Sequence, residues 1–500
     1  MNTSQQIKLG ALMSYLGIAI NIISGLLYTP WMINSIGKEN FGLYTLAMSV
    51  ITLFVFDFGL SSAVTRYISK FLAEGKEEKA YNFMGLVSRM YVIIDIVLLL
   101  ALTVLYFFLP EIYKQLTAEE MHKFKIVYAM AAFYSVFSFP FIPLNGILSA
   151  YEKFVQLKLC DILHKIIIVV CMTVALLFGG GLFSLVCINV LSGVICVIAK
   201  LLCIYKFTGM KVKLKYFEKK EFKEIMSFSG WVTIVSLAQR CMLNLAPSIL
   251  GVFSGSVSIA LFGIAITLEG YTYTFANALN GMFLPKVSRL LVNDRDKILP
   301  LMIKVGRIQI YIVGLVVFGF VCFGNEFIKL WMGEGYSQSY YCAVLLIFPS
   351  FIHLPQIIGS QLIYASNKVK YTAYVYSLMA IANLGLAAIL APEFGALGVA
   401  ISICVSYIAR TIGLDYIFWR KLDIDIFTFF RKSYAKLTPF LMFFVAISCA
   451  LNLIQIQSWS FLVIKIFISI ICYFLGLYLF AFNQSEKDLF IAPIIRKIHR

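Results

Sequence analysis

A series of apolar runs, each long enough to cross a lipid bilayer, constrains this chain more than any other feature. A helix needs about 20 apolar residues to span a hydrocarbon core of about 30 Å. Runs of that length lie at 10–34, 42–67, 83–109, 123–150, 155–178, 182–205, 224–252, 256–284, 298–323, 338–365, 370–390, 396–419, 436–456 and 461–482. These fourteen runs predict an all-α polytopic membrane protein, because lipid-exposed backbone must satisfy its own hydrogen bonds.

The distribution of charge predicts how the helices are oriented. Only 13% of residues are charged, against about 25% in soluble domains, and the net charge is +17. Of the Lys and Arg residues between or near the runs, 29 fall in one alternate set of loops and five in the other. The positive-inside rule then places both termini in the cytoplasm. Because this charge follows the loops rather than one solvated face, we expect no nucleic-acid partner.

Several kinds of chemistry lack the residues they need. The 11 cysteines form no CxxC pair, so neither a metal centre nor redox chemistry is indicated. The sequence has no glycine-rich phosphate loop and no paired carboxylates in a loop, so we expect neither an ATP-driven pump nor an enzyme. The run from Leu12 onward is longer than a signal-peptide core, and we interpret it as a retained first helix.

An internal repeat organises the chain. In the stretch Ile36–Lys79, a glycine-flanked turn precedes an apolar run that carries Asp57 and ends in a charged loop. The same layout returns about 218 residues later, from Gly255 through a run carrying Glu269 to Pro285–Arg289. Two parallel repeats predict two six-helix lobes related by a pseudo-two-fold axis along the membrane normal, with a cavity between them. The alternative is chance similarity between apolar helices.

The repeat and the linkers give the predicted domain organisation. Residues 1–205 form an N-terminal lobe of helices 1–6, and 206–223 form a basic cytoplasmic linker. Residues 224–419 form a C-terminal lobe of helices 7–12. Helices 13 and 14, within 436–482, have no counterpart in the repeat, and 483–500 form a cytoplasmic tail.

Charged residues inside the helices are the candidate functional groups. An ionised group in a membrane helix is costly and suggests a function. Arg240, with Asn244 four residues on and so on the same face, could contact an anionic substrate, or Arg240 could form a structural ion pair. Asp57 and Glu269 could be ion- or proton-coupling sites or the partners of Arg240. Tyr271 could stack on a sugar ring, although helix packing also explains it.

The remaining intramembrane charges have simpler interpretations. Asp161 and Lys165 are spaced to pair with each other on one helix. Arg410 and Asp415 are near enough to a predicted helix end to reach the interface. Lys165 and Arg307 nevertheless make the cytoplasmic halves of helices 5 and 9 basic, which favours an anionic cargo.

Several short motifs resemble those of a known family. Leu26–Pro30, then Phe41–Tyr44 and Phe56–Leu60, followed by Arg66-Tyr67, resemble the N-terminal half of bacterial polysaccharide exporters. Leu330–Gly333 resembles the outward loop after helix 9 in that family. These exporters are the O-antigen-type oligosaccharide-lipid flippases of the multidrug/oligosaccharidyl-lipid/polysaccharide (MOP) exporter superfamily.

The resemblance implies a MATE-like fold and a flippase that works by alternating access. Its cargo would be an oligosaccharide linked to undecaprenyl diphosphate, moved across the bacterial cytoplasmic membrane for surface polysaccharide synthesis. Arg240 would match the cationic cavity of the family. No cofactor is implied, with H⁺ or Na⁺ as candidate coupling ions. The implied partners are membrane lipids, together with polymerase and chain-length machinery as candidates.

Two other functions remain open at this stage. A drug/cation antiporter of the same fold would favour acidic cavity groups, whereas Arg240 favours an anionic cargo. A membrane-embedded polymerase or glycosyltransferase would need a sizeable outward loop with catalytic residues. The longest outward loops, around 110–122 and 324–338, are short.

Overall fold

The computed structural model describes residues 3–54, 60–213, 219–277, 283, 287, 290–291, 294–366, 368–435, 437–452, 458–484 and 486–487. In the first half of this range the helices are α1 (Thr3–Ile36), α2 (Lys38–Phe54), α3 (Leu60–Ala73), α4 (Glu77–Ile112), α5 (Ala118–Ser138), α6 (Leu144–Ala150), α7 (Phe154–Leu177), α8 (Leu182–Phe207), α9 (Lys219–Asn244), α10 (Ala246–Phe253) and α11 (Gly255–Asn277). In the second half they are α12 (Ile298–Met332), α13 (Ser337–Ile347), α14 (Ser350–His353), α15 (Ile357–Ala365), α16 (Val369–Phe394), α17 (Ala396–Leu422), α18 (Ile426–Tyr434), α19 (Thr438–Asn452) and α20 (Trp459–Gly476). The described residues contain no β-strand, so the predicted all-α class is confirmed.

The number of membrane spans is close to the predicted one. Among the described residues, eleven helical segments are long and apolar enough to cross a membrane, or twelve if the bent pair α18 and α19 is one span. The protein is therefore a polytopic membrane protein, while the count of fourteen stays a prediction. Within the predicted span 42–67, the structure describes α2 up to Phe54 and α3 from Leu60, and residues 55–59 lie outside the described residues.

The chain forms two compact units. Unit 1 contains residues 1–264 and 372–403, and unit 2 contains residues 265–371 and 404–500. These units are defined by packing. The predicted lobes 1–205 and 224–419 are defined by a sequence repeat and stay a prediction.

Helices in unit 1 approach closely through small and hydroxyl residues. A Cβ on Gly42 of α2 would lie 2.1 Å from the backbone oxygen of Ser256, so only glycine permits this contact. On α3, Ser61, Thr65 and Ser69 each donate a hydrogen bond of 3.3–3.4 Å to a backbone carbonyl of segment 142–150. Such contacts are the usual way in which helices associate where lipid provides no hydrophobic driving force.

Unit 2 is built around α12, which packs against α13, α18, α19 and α20. Cys322 and Phe323 of α12 are buried against Leu462 of α20. The two helices that lack a counterpart in the repeat are therefore part of the packed core of unit 2.

Matching interruptions support the repeat. The predicted helix 123–150 is interrupted by a 3₁₀ turn, Phe139–Phe141, and its counterpart in the repeat, 338–365, is interrupted by another, Leu354–Gln356. Proline explains both interruptions, since it removes a backbone donor and clashes with the preceding turn. Gly37 and Gly255 also share a left-handed conformation, with φ of 86° and 78°, immediately before α2 and at the start of α11.

Candidate functional site

Arg240 lies near the end of α9, where it contacts a second helix of unit 1. Its Nη1 donates a hydrogen bond to the backbone oxygen of Thr52 in α2. This hydrogen bond joins α9 to α2.

Other members of the predicted substrate site are distributed between the units. Asn244 is half-buried at the last position of α9 in unit 1, and Tyr271 is half-buried on α11 in unit 2. Asp57 lies outside the described residues. The grouping of Arg240, Asn244 and Tyr271 in one site, and a pairing of Arg240 with Asp57, stay predictions.

Glu269 lies in unit 2 and is buried, with 6% of its surface exposed. The positive charge of Arg410, on α17 of the same unit, acts on this carboxylate. Arg410 is itself 8% exposed, so the expectation that it reaches the interface was wrong. The reason is that α17 continues to Leu422, twelve residues beyond Arg410, which leaves the guanidinium inside the helix bundle of unit 2.

Further polar groups surround Arg410. Its guanidinium carbon lies 4.6 Å from the centre of the Tyr407 ring, a cation–π distance. The charge of Arg410 also acts on His353, next to the interruption between α14 and α15. No local spacing in the sequence indicates this relationship, because the two residues are distant in the chain.

A second polar group in unit 2 involves Asp415. Its side chain has a hydrogen bond to Gln356, which is fully buried. Asp415 also acts electrostatically on Tyr434, whose hydroxyl donates to the backbone oxygen of Phe351 at 2.8 Å. Glu269, Arg410 and Asp415 are therefore among the charged residues inside unit 2, and their role as an ion- or proton-coupling site stays a prediction.

Arg307, one of the residues that make the predicted cytoplasmic half of helix 9 basic, forms a buried ion pair. Its Nε lies 2.7 Å from Oε1 of Glu486, and both side chains are buried. Its other nitrogens donate to the hydroxyl of Tyr311 and to two backbone carbonyls. These partners engage the guanidinium, and Arg307 fixes the segment after α20 to α12.

The sequence contained a signal for this arrangement. Asn483 and Glu486 form reciprocal hydrogen bonds of 2.9 Å between the side chain of each and the backbone N–H of the other. This is the geometry of a capping box, which is recognisable from residues three apart. Burial would raise the pKa of Glu486, but the hydrogen bonds from Arg307 and its neighbours outweigh burial and leave that pKa below its ordinary value.

Two more ion pairs correct or extend the sequence reasoning. Asp161 pairs with Lys200 of α8 at 2.8 Å, not with Lys165 as expected, because α8 packs alongside α7. Lys465 of α20 pairs with Glu326 of α12 at 2.9 Å, and both are largely buried. The latter pair was missed since its members are 139 residues apart.

Comparison with protein families gives one family over most of the chain. The model for the polysaccharide biosynthesis protein family matches residues 8–291. Among curated proteins, a relative described as "Putative O-antigen transporter" from Shigella flexneri is 21% identical over 421 residues. That alignment covers 82% of this chain and 96% of the relative.

Solved structures show which fold the chain adopts. A structure of the lipid II flippase MurJ in an inward closed conformation has a TM-score of 0.70 at 15% identity, covering 98% of this chain and 100% of that one. An inward-facing multidrug resistance MATE family transporter of the MOP superfamily has a TM-score of 0.63 at 14% identity. This match covers 85% of this chain and 98% of that transporter. The predicted MATE-like fold is therefore confirmed.

Proposed function

Because the chain belongs to the polysaccharide biosynthesis protein family, we propose that it is a flippase for an undecaprenyl-diphosphate-linked oligosaccharide. The family match over more than half of the chain carries this proposal. The name of the Shigella flexneri relative supports a carbohydrate cargo, and the fold of the lipid II flippase supports a lipid-linked one.

The charge of the candidate cargo suits the cationic candidate residue. The diphosphate carries negative charge, and a guanidinium offers five donors that match phosphate oxygens. Arg240 donates from Nη1 to the carbonyl of Thr52, and we propose that its guanidinium also contacts the diphosphate. Asn244 and Tyr271 would contact the sugar through an amide and an aromatic ring.

Alternating access is the proposed mechanism. The two predicted lobes would rock against each other, so that the head group is accessible first from the cytoplasm and then from outside. Glu269, with Arg410 beside it, is the candidate coupling site for H⁺ or Na⁺, and Asp57 is a second candidate. The proposal contains no covalent step, so the protein would act as a transporter and not as an enzyme.

The proposed location is the bacterial cytoplasmic membrane, with both termini in the cytoplasm. The excess of Lys and Arg in one set of loops supports this orientation. Membrane lipids would surround the protein. Polymerase and chain-length machinery are candidate partners, because a flipped repeat unit must next be polymerised.

A complementation experiment tests the function in cells. In a strain lacking the protein, the lipid-linked repeat unit should accumulate on the cytoplasmic face, where an impermeant sugar-modifying reagent cannot reach it. Wild type should restore its exposure outside, and Arg240→Ala at equal abundance should not. Full restoration by Arg240→Ala would make the arginine structural.

The same experiment separates the flippase from a drug antiporter. The similarity to a multidrug transporter fold is the observation that keeps the antiporter in view. If exposure of the repeat unit is normal without the protein while drug sensitivity changes, the antiporter is the better account.

A further inference from the structure

We propose that a groove between α1 and α7 in unit 1 binds the isoprenoid tail of the cargo as it enters from the cytoplasmic leaflet, with the diphosphate beside Lys165 before it reaches Arg240. This proposal rests on the proposed function for the identity of the cargo. Two observations carry it: an apolar groove lies between α1 and α7, and the cationic side chain of Lys165 lies on α7 one turn before the groove.

The groove has the volume and lining of a site for an apolar chain. It is an open groove with a volume of about 470 Å³, within the range of ligand pockets. Its lining consists mainly of Ile20, Ile23, Leu27, Tyr28 and Trp31 from α1 and Val169 and Thr173 from α7. At about 30 Å³ per heavy atom, the share of one water molecule in the liquid, this volume corresponds to about 16 heavy atoms, close to the carbon count of three isoprene units.

The two helices run in the same direction, which fixes the position of Lys165. A Cβ on Gly17 of α1 would lie 3.4 Å from the side chain of Ile162 in α7, so these two positions are neighbours. The residues that line the groove follow Gly17 in α1 and follow Ile162 in α7, which means that the helices are parallel. Lys165 precedes Val169 by four residues, so the two lie on the same face one turn apart. Lys165 is therefore located at the end of the groove that faces the start of both helices.

The environment of Lys165 makes it a ligand candidate. It is half-buried, and the structure gives it no ion pair or hydrogen bond among the described residues. It lies about 16 Å along the helix from Phe154, well inside a predicted membrane span. An ionised side chain at such a depth requires a partner or a polar surrounding.

Neighbouring charges favour an anion at this end of the groove. Lys158 and Lys200 both approach Asp161, at 3.9 Å and 2.8 Å, and this single carboxylate balances only one of the three lysines. The charges of Lys200 and Lys165 also act on His164, whose Nε2 has no hydrogen-bond partner among the described residues. A diphosphate would compensate the excess positive charge and accept the free donors.

In the predicted orientation, the start of α7 is cytoplasmic. A lipid of the inner leaflet has its head group on that side and its tail directed towards the bilayer centre. The cationic end and the apolar groove follow this order along α7. The site therefore suits a polyisoprenyl diphosphate that enters from the cytoplasmic leaflet.

Direct binding tests this inference independently of transport. The full-length protein would be placed in nanodiscs of phosphatidylcholine, with farnesyl diphosphate as the probe, since its tail has three isoprene units. Val169→Trp should fill the groove and Lys165→Gln should remove the charge, each weakening binding about tenfold. Val170→Trp and Lys79→Gln are matched controls, because both positions are exposed and neither lines the groove, and both should retain wild-type affinity.

Competition identifies which part of the probe is recognised. Inorganic diphosphate and farnesol should each compete at least about tenfold less well than the unlabelled probe. Wild-type affinity in Val169→Trp, or equal competition by phosphatidylglycerol, would overturn the inference. If Val169→Trp does not fold, Thr173→Trp and the competition series decide the same question.

The outcomes also separate this inference from the proposed function. Unchanged binding in both groove variants, with normal transport in cells, would overturn the groove site alone. Groove-dependent binding without any change of leaflet exposure in the deletion strain would support the site and contradict the flippase.

Discussion

Arg307 and Glu486 form a buried ion pair with 2.7 Å between Nε and Oε1, although 179 residues separate them in the chain. The exposed fractions of their side chains are 6% and 3%. The pair joins α12 to the segment that follows α20. It therefore attaches the C-terminal end of the described chain to the central helix of unit 2.

Removing one member of this pair should be costly. Arg307→Met leaves the carboxylate of Glu486 buried without its counter-ion, and we expect a loss of about 3–5 kcal/mol in the free energy of unfolding. The double variant Arg307→Met/Glu486→Met should recover most of the loss. Denaturant titration of the purified protein in detergent would measure the free energy of unfolding of each variant.

An exposed pair in the same unit provides the control. Arg295 and Asp423 lie 3.0 Å apart, but their side chains are 52% and 77% exposed. Solvent screening should make Arg295→Gln nearly neutral. Equal effects of the exposed and the buried substitution would contradict the account of Arg307.

The same pair predicts a pH dependence. The pKa of Glu486 is lower in the folded protein than its ordinary value of about 4.3. Its contribution to stability is therefore complete above that value and is lost as the pH falls through the folded pKa. Between pH 6 and pH 3, the difference in melting temperature between wild type and Glu486→Gln should shrink. A constant difference would show that the carboxylate does not titrate in this way.

Gly42 tests the close packing of unit 1. Gly42→Ala places a Cβ 2.1 Å from the backbone oxygen of Ser256, and we expect a loss of about 1–3 kcal/mol as the helices separate. Gly230→Ala is the matched control, because nothing lies within 4 Å of its Cβ and alanine favours helix by about 1 kcal/mol. Thermal unfolding of both variants should therefore shift in opposite directions.

Glu269 and Arg410 should be functionally coupled. Each single neutralisation, Glu269→Gln or Arg410→Gln, removes one of two buried groups that interact electrostatically in unit 2, so we expect reduced transport. The double variant should be better folded than either single one, as judged by its melting temperature. If Glu269 is the coupling site, the double variant should still fail to respond to an imposed ion gradient. A normal response would assign the pair a structural role.

The sequence predicts the architecture far better than it predicts the partners of single residues. Apolar runs are local patterns, and they predicted the helical class, while the resemblance of short motifs such as Phe41–Tyr44 to the exporter family implied the MATE-like fold. The partners of Glu269 and Arg307 come from other helices, which no local spacing indicates. Arg410 was misinterpreted for a related reason, since burial depends on where a helix ends and on what packs against it.

The most direct test of the flippase is reconstitution. Purified protein in vesicles would be supplied with an undecaprenyl-diphosphate-linked oligosaccharide, and an impermeant sugar-oxidising reagent would be added outside. With wild type, the whole pool of lipid-linked oligosaccharide should react with the reagent over time. In vesicles without the protein, the reaction should stop once the outer leaflet has been oxidised. An identical reactive fraction with and without the protein would contradict the account.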